Sequence, residues 1–134
     1  METMNHEYYV SSEIAKLLEK AGFDWKCRKC YNKGVLFDME PDEIRTQTPQ
    51  HSSYDVLAPT LDVAQRWLRE VKDIDVYIFP TTNTKRECVY EWGIKTFGRA
   101  LWVEGQPYTN QYETYEEAQE AGIKKTLEMI LEKE

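Results

Sequence analysis

Cys27-Arg28-Lys29-Cys30 has the spacing that metal and thiol chemistry use. A C-x-x-C pair supplies half of a tetrahedral zinc site, whose other half needs two further Cys or His ligands. The rest of the chain offers Cys88, His6 and His51, scattered without ligand spacing. The pair also falls in a stretch that reads as strand, where residues three apart point to opposite faces. A redox pair belongs at the start of a helix after a strand, which this context lacks. Cys27 and Cys30 are therefore weak metal candidates. Buried or half-buried thiols, with no cofactor, are the expectation.

Carboxylates are plentiful and no more specific. Asp38, Glu40, Asp42 and Glu43 have the ligand type for calcium but lack the glycine and the regular alternation of an EF-hand loop. His51-Ser52-Ser53-Tyr54-Asp55 contains the residue types of a hydrolase triad, yet triads assemble across a fold, and adjacency in sequence is no evidence for one. The chain has neither a G-x-S-x-G elbow nor a phosphate-cradling glycine loop. No catalytic constellation emerges, and the expectation is a protein that is not an enzyme.

Aromatic residues carry more weight. Tyr77, Phe79, Tyr90, Trp92, Phe97 and Trp102 all fall on three consecutive strand-like segments, interleaved with Lys95 and Arg99. If helices cover one face of those strands, several rings lie on the other. A face carrying Tyr77, Tyr90, Trp92, Lys95, Arg99 and Trp102 would suit either of two uses. Rings with cations stack and neutralise single-stranded nucleic acid; rings alone make a protein interface. The formal net charge of -7 repels phosphate backbones and puts nucleic acid second.

These residues need elements to hold them. A chain of 134 residues, 41 % hydrophobic and 31 % charged, is the size of one domain with a core of its own, and 1–134 is read as a single unit. Aromatic content is 13 %, with four Trp and nine Tyr. Met1 to Tyr9 lacks an apolar signal-peptide core, and no run approaches the ~20 apolar residues of a membrane span. The expected place is the cytoplasm, off the membrane, with reduced cysteines.

Ser11-Ser12 caps a first helix whose apolar Ile14, Leu17, Leu18 and Ala21 share a face; Gly22 ends it and Phe23 folds back. Trp25 to Tyr31 and Val35 to Met39 read as a hairpin turned at Asn32-Lys33-Gly34. Residues 40–55 are polar and aperiodic, a long loop. Thr60 caps a second helix with a stripe of Leu61, Ala64, Leu68 and Val71, widened by Trp67. Strands follow over Ile74 to Phe79, Glu87 to Phe97 and Arg99 to Glu104. The first sets Ile74, Val76 and Ile78 against Asp75, Tyr77 and Phe79. Thr114-Tyr115-Glu116-Glu117 is a capping box opening a last helix whose apolar residues cover a broad arc. The order is α-β-β-loop-α-β-β-β-α. It fits an α+β fold, an antiparallel sheet with helices on one face.

Helix two with three strands and helix three repeats the order of double-stranded RNA-binding domains. Those domains carry lysines at the start of the last helix, where Glu116-Glu117 stand here, so the charge facing phosphate is wrong. Ala58 to Leu61 running on to Ala64-Gln65-Arg66-Trp67-Leu68-Arg69-Glu70, Thr114 to Ala118 with Ala121, Leu127 and Ile130, and the Ser11 to Phe23 helix together resemble a different group. This group is the small α+β proteins of gut Bacteroides-type bacteria and their phages and mobile elements, a resemblance over about half the chain. It implies a short cytoplasmic α+β protein and transfers no activity or catalytic residue. The function expected is that of an interaction or accessory protein of phage or mobile-element origin, self-associating as a homodimer or binding another protein. The alternative is a nucleic-acid-binding module on the aromatic and basic strand face.

Overall fold

A computed structural model describes residues 8–39, 56–96, 102–104 and 111–132. Helix α1, Ser12–Lys20, starts where Ser11 Oγ accepts from the Ile14 N–H at 3.2 Å. It ends in a Schellman motif: Gly22 sits at φ +99°, Phe23 N–H donates to Leu18 C=O at 2.9 Å, and Gly22 N–H donates to Glu19 C=O at 3.1 Å. The motif turns Phe23 back onto Trp67, ring edge to ring face, 5.4 Å apart. α1 thereby buries Ile14, Ala15 and Leu18 in the main core.

Strands β1, Lys29–Asn32, and β2, Val35–Asp38, form a hairpin. Its two-residue turn has Lys33 at φ +55° and Gly34 at +81°, the pair of positive values that matches the twist of the flanking strands. β1 begins at Lys29, later than the sequence pattern implies. β3, Val56–Leu57, pairs antiparallel with the other side of β1 and is too short to leave a sequence signature. The long polar loop of residues 40–55 lies outside the described residues.

α2, Leu61–Val71, is capped by Thr60, whose Oγ1 accepts from Val63 N–H at 3.1 Å. Leu61, Ala64, Trp67 and Leu68 are buried; Val71, at the helix end, is exposed. β4, Ile74–Thr82, and β5, Cys88–Thr96, make a long antiparallel hairpin, with β6, Trp102–Glu104, on the far side of β5. α3, Tyr115–Glu132, opens with the capping box in full: Glu117 N–H donates to Thr114 Oγ1 at 3.1 Å and Thr114 N–H to Glu117 Oε1 at 3.3 Å.

The fold is α+β, as the pattern implies, but its strands divide into two three-stranded antiparallel sheets, β2-β1-β3 and β4-β5-β6. The division needs pairings between distant segments, which local pattern does not encode. α2 and α3 pack on one face of the second sheet. Gly122 lets α3 approach closely: an added Cβ there would lie 2.8 Å from Val76 Cγ1 and 3.1 Å from Trp92 Cβ. Gln119, on the same face of α3 and 1 % exposed, donates to Asp62 Oδ1 and to Gln65 Oε1, both at 2.7 Å. Gln65 in turn donates to the Val76 carbonyl. This relay satisfies a buried amide and fixes both helices to β4.

Candidate functional site

The β4–β5 register decides what the aromatic strands present. Val76 stands opposite Ile94, Ile78 opposite Trp92, and Pro80 opposite Tyr90, so these six share a face. That face is the helix-covered one. Trp92 is 6 % exposed beneath α3, and Tyr90 meets Tyr115 edge to face with centroids 6.0 Å apart. The Trp92 indole N–H has no hydrogen-bond partner among the described residues, which marks a ring that fills the core and not a stacking platform.

Asp75, Tyr77, Phe79 and Thr81, opposite Lys95, Gly93, Glu91 and Val89, occupy the reverse face. Tyr77 and Phe79 stack there, centroids 5.9 Å apart and planes 29° inclined. The Tyr77 ring also covers Gly93, where a Cβ would fall 2.3 Å from its Cζ. Lys95 is exposed, and Trp102 is its register partner on β6. Arg99 lies outside the described residues. The structure therefore brings Tyr77 and Lys95 to one face and Tyr90 and Trp92 to the other. Those four side chains do not form one exposed aromatic and basic surface.

Cys27 precedes β1, so the strand alternation expected to separate it from Cys30 does not apply. Both thiols are buried, and Cys27 Sγ donates to the Trp25 carbonyl at 3.5 Å. Burial pushes the Cys27 thiol up to about 12, with nearby Cys30 adding to the effect, so it stays protonated at neutral pH. No group of three or more His, Cys, Asp or Glu is arranged for a metal among the described residues. His6 and His51 lie outside them. Among the described residues no helix is long and apolar enough to cross a membrane.

A feature not singled out by sequence is the outer edge of the first sheet. Met39 N–H donates to the Arg28 carbonyl at 2.8 Å on the β1 side, and Ala58 N–H donates to the Lys29 carbonyl at 3.0 Å on the β3 side. Antiparallel alternation then turns the backbone groups of Phe37 and Val35 toward β1, and those of Leu36 and Asp38 outward. Among the described residues β2 is the end strand of its sheet. Its side chains Val35 and Phe37, two residues apart on one face, are 53 % and 49 % exposed. The signal in the sequence is Val35-Leu36-Phe37, an apolar run too short to need both faces buried. The chain matches no family model, no curated protein and no solved structure.

Proposed function

We propose that the protein acts by binding, and that its partner is a second copy of itself, added antiparallel along β2. The observation that carries this reading is the edge itself: outward N–H and C=O groups at Leu36 and Asp38, flanked by exposed Val35 and Phe37. Unpaired edge groups are a template for another strand. A two-fold axis at Leu36 pairs its outward groups with the same groups of the partner. Val35 of each copy then stands opposite Phe37 of the other, in the closer type of cross-strand pair. This register keeps the two Asp38 carboxylates at opposite ends. A register centred on Asp38, the other outward residue, would bring them side by side, which like charges disfavour. The product is a continuous six-stranded sheet.

We place such a dimer in the cytoplasm as an accessory factor of a phage or mobile element, on the resemblance of the helical segments alone. Sedimentation velocity over a wide concentration range tests the dimer. The expected result is a reversible monomer–dimer equilibrium that Phe37→Lys weakens about tenfold or more, with an unchanged circular dichroism spectrum. A wild type that stays monomeric at high concentration, or a dimer indifferent to F37K, would overturn the proposal. Short single-stranded DNA or RNA at moderate salt is expected to leave the mass unchanged.

A further inference from the structure

Beside the first hairpin a cavity of about 360 Å³ opens between the chain entering β1 and the chain entering α2. Lys26, Arg28 and Lys29 line one wall; Pro59, Thr60 and Val63 line the other. Three cations within four residues are conspicuous in a chain of net charge -7. We infer that this cavity binds a phosphate monoester, its dianionic head held by Arg28 and Lys26.

Four observations support the assignment. Arg28 and Lys26 are exposed cations, while the third, Lys29, holds Asp38 through a 2.6 Å ion pair and lies 5.3 Å over the Tyr9 ring. Among the described lining residues Asp38 is the one carboxylate, beside the three cations. Its carboxyl is held below the usual range, first by the Lys29 hydrogen bond and charge and in smaller part by Arg28, so both cations act at the same mouth. Cys27, also on the wall, is kept neutral by its burial and adds no opposing charge.

On the remaining wall Thr60 and Val63 of α2 line the cavity, but the Leu61 and Val63 N–H groups are already bonded to the Tyr8 carbonyl and to Thr60 Oγ1, so the anion is met by the two side-chain cations. Arginine supplies the planar fork that fits phosphate oxygens, and lysine a second point charge. The volume exceeds that of inorganic phosphate and leaves room for the esterified group beside Tyr9. A second cleft, of about 530 Å³, runs between α1 and the start of α3. It is lined by Glu13, Glu113, Glu117 and Glu120, with Lys124 bound to Glu13 at 3.2 Å, and would repel the same ligand.

Thermal shift and calorimetric titration with inorganic phosphate and with O-phosphoserine, against chloride at equal ionic strength, test the inference. The expected result is saturable binding of both phosphates, tighter for the ester. Arg28→Ala and Lys26→Ala should each weaken it about tenfold or more, and Lys125→Ala, on the exposed side of α3, should leave it unchanged. Phosphate indistinguishable from chloride, or R28A and K26A variants that bind as the wild type does, would overturn it. The readout is independent of dimer formation, since F37K should bind phosphate as the parent does.

Discussion

The two sheets end in edges that are treated in opposite ways. Along β4 the outward backbone positions are the even-numbered ones, because Asn83 N–H bonds Glu87 C=O on the β5 side at 3.0 Å. One of those outward carbonyls, Val76, is taken by Gln65, and another outward position is Pro80, which has no N–H to offer. Along β2 the outward positions are Leu36 and Asp38, flanked by exposed Val35 and Phe37. Among the described residues a glutamine and a proline blunt one edge and nothing comparable covers the other, and that contrast is why we read β2 as the working edge and β4 as the guarded one.

The largest effect is expected from the helix that holds the guard. Gly122→Ala drives a methyl into Val76 and Trp92, both buried, and should cost about 3 kcal/mol in urea unfolding. It should also loosen Gln119 from Gln65 and raise hydrogen exchange along β4. Gln65→Ala acts on the guard alone. It strips the Val76 carbonyl and one acceptor of the buried Gln119 amide, and should cost about 2 kcal/mol. Light scattering should then find association that F37K no longer suppresses, because β4 has become a second open edge.

A smaller, pH-dependent effect distinguishes the first sheet. The Cys27 thiol is raised in the folded state, from an ordinary value of 9.0 to about 12, so above pH 9 the unfolded chain loses a proton that the folded chain retains. Its contribution is complete below pH 9 and is lost as pH rises from there toward 12. Urea midpoints should fall over that window, and less so in Cys27→Ala. The same burial predicts slow labelling of Cys27 and Cys30 by a thiol reagent and fast labelling of exposed Cys88. Smallest of all, Pro80→Val should change stability by no more than about 0.5 kcal/mol, yet return an N–H to the β4 edge and increase association.

All three helix N-caps and the glycine stop of α1 were legible in the sequence because each is a contract among residues three to five apart. The alternation that separates Val76 from Tyr77 was legible for the same reason. What the pattern could not supply was the pairing of β4 with β5, which puts Trp92 and Tyr90 on Val76's side and away from Tyr77. The two-residue β3, which makes the first hairpin a sheet and leaves β2 at its end, was invisible. Gln119 was hidden in another way: a polar residue within the broad apolar arc of α3 looks solvated until its two partners, 57 and 54 residues earlier, are in place. The α2 wall that makes a cavity beside Lys26, Arg28 and Lys29 was not legible in the sequence either.

The distance between those partners has a consequence for the order in which the chain assembles. Asn83 organises the β4–β5 turn from within, its Oδ1 accepting from the N–H groups of Lys85 and Glu87 at 2.9 Å each. Such a hairpin closes on the microsecond scale, with little loop entropy to overcome. The glutamine relay closes only when α3 docks, a step that brings together residues 54 and 57 positions apart and is correspondingly slow. Pro80 is present from the moment β4 emerges, and so shields its edge throughout the interval in which Gln65 has not yet been steadied by Gln119.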